Sequence, residues 1–119
     1  MKPSQFQIDA LKFIIESSKE LMPLFEQIKE LELESKEHTG IGCIYSYKIK
    51  PTSNSGNFGI AGGFQVNSES LQSGASLILR ITDGMIHTLD VLSNGDNFPT
   101  IDPTSYSFEI VPINIIDKR

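Results

Sequence analysis

The residues that most restrict what this chain can fold into are Asp83-Gly84 and the runs on either side, 75–82 and 85–92. Both runs are rich in Ile, Leu, Val and Thr, and Asp-Gly suits a two-residue turn whose central residues take positive φ. The spacing predicts a tight hairpin. On one face a two-residue turn pairs Ile81 with Ile86, Leu79 with Thr88 and Leu77 with Asp90. On the other it pairs Arg80 with His87, Ile78 with Leu89 and Ser76 with Val91. Both faces then carry apolar side chains, as a central hairpin covered by a helix on one side requires.

Other strands follow from alternation. Ile41, Cys43, Tyr45, Tyr47 and Ile49 alternate with mostly small or polar residues. Upstream, Glu30-Leu31-Glu32-Leu33-Glu34 alternates too, although Leu24, Ile28 and Leu31 keep helical spacing. A three-residue loop His38-Thr39-Gly40 places Leu33 opposite Tyr45 and Leu31 opposite Tyr47, with Gly40 at the left-handed position. The reading is a hairpin of 30–37 with 41–50, against the alternative of a helix running on to Glu37. After the polar stretch 51–57, Phe58, Ile60, Phe64 and Val66 share one parity, and Gly59, Ala61 and Gly63 share the other. Glycine at that density marks a bulge, a bend or the close approach of a backbone or ligand. Asn94-Gly95-Asp96-Asn97 reads as a turn, and Tyr106-Ser107-Phe108-Glu109-Ile110 as a closing strand before Pro112.

The N-terminal segment has helical period instead. Ser4-Gln5-Phe6-Gln7 fits a capping box, and Phe6, Ala10, Phe13, Ile14, Ser17 and Leu21 form one stripe. Pro23 must kink or end that helix, because it has no amide proton and its ring meets the carbonyl of Lys19. The helical reading extends to about Lys29. The fold class is therefore α+β: an N-terminal helix, kinked or ended at Pro23, packed on an antiparallel sheet of five or six strands. At 119 residues this is one domain.

The formal charge is −5, and its distribution is uneven. Lysines and acids nearly balance up to Lys50, but between Lys50 and Lys118 Arg80 is the single cation among seven acids. Glu69, Asp83, Asp90, Asp96 and Asp102 belong to that stretch, several of them in expected loops. A net acidic chain opposes binding to nucleic acid or to anionic lipid, since neither would find its phosphates neutralised. An acidic loop surface would instead steer a basic protein partner. Cys43 is the only cysteine, so no intramolecular disulfide can form, and a free thiol suits a reducing compartment. Met1-Lys2-Pro3-Ser4 opens into mixed polar and apolar sequence, and no long apolar run follows. The expectation is a soluble cytoplasmic protein without a signal peptide.

Motifs for chemistry are scarce. His38, His87 and Cys43 lack metal-ligand spacing, so neither metal nor cofactor is expected. There is no phosphate loop and no Gly-x-Ser-x-Gly elbow. Cys43, alternating with apolar residues, reads as a buried hydrophobe rather than a nucleophile.

The stretch from Leu77 to Leu92, Leu-Ile-Leu-Arg-Ile-Thr-Asp-Gly-Met-Ile-His-Thr-Leu-Asp-Val-Leu, with Asn94-Gly-Asp-Asn-Phe-Pro99 after it, resembles a hairpin of bacterial immunity proteins. These are the small neutralising partners of contact-dependent growth inhibition and related polymorphic toxins. The resemblance covers residues 75–99 and, beyond them, the layout of one helix followed by an antiparallel sheet. It implies a non-enzymatic protein that occludes a cognate toxin domain, a basic nuclease for example. Asp83, Asp90, Asp96, Asp102 and Glu69 are then the candidate partner-binding residues. Two alternatives stay open. One is a small-ligand domain or enzyme with a pocket walled by Gly59, Gly62 and Gly63, with His87 or Cys43 as its polar group. The other is an accessory subunit that docks on a larger assembly by a strand edge or helix.

Overall fold

A computed structural model of the chain describes residues 1–48, 59–95 and 97–111. Helix α1 (Gln5–Glu16) begins at Ser4, whose side chain accepts the Gln7 amide at 3.4 Å. Gln7 reaches back to the Ser4 hydroxyl, to which its Nε2 donates at 3.2 Å, rather than to the Ser4 backbone amide of a capping box. Its side chain turns inward, where its Oε1 accepts from the Tyr47 hydroxyl at 2.8 Å. Phe6, Ala10, Leu11, Ile14 and Ile15 are buried, so the apolar face includes two residues outside the expected stripe. The helix stops well before Pro23, at Ser17, whose hydroxyl donates to the Ile14 carbonyl. A 3-10 helix, Met22–Glu30, follows. Pro23 sits in its first turn, where the missing amide proton has no partner to lose. Leu31 then adopts extended geometry, and the chain turns into the sheet. Continuation of the helix to Glu37 is thereby excluded.

Among the described residues six strands form one antiparallel sheet: β1 (Leu33–His38), β2 (Gly42–Tyr47), β3 (Gly59–Ser68), β4 (Leu71–Thr82), β5 (Met85–Ser93) and β6 (Tyr106–Ile110). Their order across the sheet is β1-β2-β5-β4-β3-β6. Helix α1 and the 3-10 helix cover one face, where Tyr45, Tyr47, Phe64, Val66, Leu77, Leu79, Leu89 and Val91 are buried. Phe13 closes this core from α1, edge-on to Phe64 and stacked on Phe108 at 5.5 Å. Gln27 of the 3-10 helix fastens the β4–β5 hairpin, donating to the Gly84 carbonyl and accepting from the Ile86 amide, both at 2.8 Å.

The hairpin at Asp83-Gly84 forms as expected, with φ of +52° and +73° at the two turn residues and Ile81 opposite Ile86. Beyond that pair the expected register fails. An irregularity next to Ile81 leaves His87 as an extra residue, so Arg80 faces Thr88, Leu79 faces Leu89 and Leu77 faces Val91. The cause is parity. Ile86 and the pair Leu89 and Val91 cannot share a face in an unbroken strand, and the extra residue puts all three in the core.

The glycine-rich strand makes the same correction. Gly62 and Gly63 together face Ile78, with Gly63 at φ +89°, so Ala61, Phe64 and Val66 turn toward the helices and Ile60 turns away. The first hairpin is present with a longer loop. Gly40 takes φ +93° as expected, but His38 pairs with Cys43, and a second irregularity at Glu34 brings Leu33 opposite Tyr47 rather than Tyr45. Gly42 opens β2 because a Cβ there would collide with the Val91 carbonyl.

Candidate functional site

The densest polar assembly joins residues from both ends of the chain. The crossover from β5 to β6 passes the N-terminus of α1, and Asp102 points inward from it. Its carboxylate accepts from the Ser4 hydroxyl, from the Tyr45 hydroxyl at 2.6 Å and from Lys36 Nζ at 3.0 Å. Gln7 Nε2 completes the set at 3.5 Å. A negative charge here also suits the positive end of the helix dipole. Lys36 reaches this group because the β1–β2 register sets it opposite Tyr45, on the helical side of the sheet. Beside the cluster opens a cleft of about 530 Å³, lined by Ser4, Lys36, Thr100, Asp102, Thr104 and Tyr106 among others.

The protonation of this cluster is firmly set. Burial pushes Asp102 up, but hydrogen bonds from Ser4, Tyr45 and Lys36, with the Lys36 charge, outweigh it and hold the carboxyl below its usual value. Burial raises Tyr45, and the bond to Asp102 raises it further. Burial, with the charge of Asp102 behind it, raises Tyr47 as well. Tyr106 is pushed up to about 12 by burial and by its bond to Asp9. Around neutral pH the tyrosines therefore keep their protons and the carboxylate stays ionised and fully bonded. Each of these groups is taken up by a partner, and together they clasp α1, β1, β2 and the crossover.

The remaining chemical candidates are similarly occupied. His38 Nε2 lies 2.6 Å from the Phe98 carbonyl and its Nδ1 accepts the Gly40 amide, partners that assign the proton to Nε2. His87 Nδ1 is 2.9 Å from the Thr82 hydroxyl. Cys43 is buried, and desolvation raises its thiol. Among the described residues no three His, Cys, Asp or Glu side chains come together.

The expected acidic residues do not assemble into one surface. Asp83 stands at the tip of the β4–β5 turn, and Glu69 lies at the β3–β4 turn beyond the other end of β4. Twelve residues of strand separate those turns by roughly 35 Å. Asp90 lies on the sheet face opposite the helices, which no element of the described residues covers, bonded to Arg80 Nε at 3.1 Å. Asp102 is on the helical side, its side chain only 15% exposed and taken up by Lys36. Asp96 falls outside the described residues. Gly59, Gly62, Gly63 and His87 line neither the Asp102 cleft, the one around Glu69 nor the one between the helices.

The second notable region was not anticipated, because the register that creates it was not. Opposite the helices, Ile44, Ile60, Ile78 and Leu92 share the sheet face with Ser46, Thr88, Arg80 and Asp90. Ile60 is 63% exposed and Leu92 47%. Thr88 Oγ1 and Asp90 Oδ1 are shielded there without a hydrogen-bond partner among the described residues. No helix of the described residues is long and apolar enough to cross a membrane. Comparison of the chain with protein-family models, with curated proteins and with solved structures finds no match.

Proposed function

We propose that this chain is a non-catalytic binding domain, an immunity protein that neutralises a bacterial toxin domain by docking the uncovered face of its sheet over the toxin. The observation that carries the reading is that face: exposed Ile60 and Leu92, with Ile78 on the strand between them and Ile44 on β2 beyond, arranged around the Arg80–Asp90 pair. Exposed apolar side chains gathered on one face of a small domain mark an interaction site. Six strands about 4.8 Å apart offer a face of several hundred Å², the scale of one partner's share of a specific interface. The polar groups of the face suit a basic partner. Arg80 occupies Asp90 Oδ2, and Oδ1 is an acceptor that a cationic side chain of the toxin would satisfy once Arg80 swings aside. The occupied state of His38, His87 and the Asp102 cluster agrees with inhibition by occlusion rather than by chemistry.

The test is affinity capture from bacterial cells that make this protein, followed by identification of what is held. Recovery of a toxin domain whose activity the chain abolishes supports the proposal. Capture of only metabolic enzymes, or a toxin domain left fully active in the complex, overturns it.

A further inference from the structure

On the far side of the molecule, the seam between α1 and the 3-10 helix closes around a cleft of about 290 Å³. Its walls are Ile8 of α1, Phe25 and Ile28 of the 3-10 helix, and Pro3 and Leu31 from the segments that enter and leave them. Lys2, Lys12 and Lys29 also line it, and no acidic residue does. Lys2 and Lys12 have no ion-pair partner among the described residues. Lys29 meets Glu26 only at 3.9 Å and remains 74% exposed. The Leu33 amide donates to the Met1 carbonyl at 2.7 Å, which holds the N-terminal wall against the start of β1.

Apolar walls with a cationic rim select for one kind of ligand. A neutral apolar molecule gains only the walls, and an inorganic anion gains only exposed lysines, which are individually weak partners. A molecule with an apolar body and an anionic end gains both. The volume lies at the lower edge of the roughly 300–1,000 Å³ typical of small-molecule sites, which excludes a two-chain lipid. Ile8 and Lys12 of α1 and Phe25, Ile28 and Lys29 of the 3-10 helix span only about one turn of each, whereas an amphipathic helix needs anchors along several turns. We infer that this cleft binds a small anionic amphiphile, a single short acyl chain ending in a carboxylate. It is separate from the sheet face and does not depend on the toxin reading.

Decanoate is the probe, followed by amide resonances of the full chain. It shifts Ile8, Lys12, Phe25 and Ile28 saturably, and 1-decanol binds more weakly. The K2E/K12E variant, whose two exposed substitutions leave the remaining spectrum in place, binds decanoate about fivefold to tenfold more weakly. The inference is overturned if decanoate leaves those resonances unmoved, if it acts elsewhere on the surface, or if K2E/K12E binds it as tightly as the original chain.

Discussion

Tyr45 donates a 2.6 Å hydrogen bond to Asp102 across 57 positions of sequence, and that contact ties the sheet to the crossover that holds the helix N-terminus. Burying a tyrosine ring requires a partner for its hydroxyl, and burying a carboxylate requires several donors. Each residue answers the requirement of the other. Asp102→Ala therefore leaves the Tyr45 and Ser4 hydroxyls without their acceptor and Lys36 with only the Thr100 carbonyl, and costs about 3 kcal/mol in urea denaturation. Tyr45→Phe costs about 1–2 kcal/mol, and the double variant loses less than the sum of the two, because both remove the same bond.

The same clasp sets the acid limb of stability. Because the folded state holds Asp102 below its ordinary value, the unfolded chain binds its proton first as pH falls. Its contribution is fully present above the unfolded carboxylate value of about 3.9 and is lost as pH falls through the lower folded value. Denaturation of the wild type and Asp102→Asn from pH 6 to pH 2 gives a stability difference that is constant down to about pH 5 and then shrinks. At the alkaline end the sign is reversed. Tyr106, raised to about 12, and the raised Tyr45 and Tyr47 favour the folded state until the unfolded tyrosines ionise, so stability falls as pH rises past about 10.

Two glycines separate close packing from open surface. A Cβ at Gly42 would meet the Val91 carbonyl, whereas a Cβ at Gly59 meets nothing within 4 Å. Gly42→Ala is expected to cost about 2–3 kcal/mol by forcing β2 from β5, and Gly59→Ala to stay within about 0.5 kcal/mol. Thermal midpoints of the two variants check the contrast directly.

Gln27 ties the 3-10 helix to the Asp83-Gly84 hairpin by two side-chain hydrogen bonds. Gln27→Ala leaves the Gly84 carbonyl and the Ile86 amide without that partner and costs about 1–2 kcal/mol. Hydrogen exchange at Ile86 rises with it, while exchange at Leu79 follows only the global change.

Local chemistry was legible in the sequence, and long-range accommodation was not. Asp83-Gly84 and Gly40 adopt the positive φ their residue types favour, and the α+β class follows from the two hydrophobic periods. The registers beyond the turns depend on extra residues at His87, at Glu34 and at Gly62-Gly63. The signal was present in the change of parity between Ile86 and Leu89 and in the paired glycines between Ala61 and Phe64, but alternation read without bulges carries each strand straight through. The Asp102 cluster had no local signal at all: Ser4, Lys36, Tyr45 and Asp102 meet only because the crossover returns to the start of α1. Charge counting grouped Asp102 with Asp83 and Glu69, although these three lie in different parts of the molecule.

The most direct measurement is the affinity of the captured toxin domain for three chains: the original, I60D/L92D, and D83N/E69Q. Substitution at two exposed positions of the sheet face leaves the thermal midpoint nearly unchanged. If the uncovered face is the docking surface, I60D/L92D weakens binding at least about a hundredfold and D83N/E69Q changes it by less than about threefold. Full affinity in I60D/L92D, with the loss falling instead on D83N/E69Q, would contradict the account and return the interface to the acidic turns.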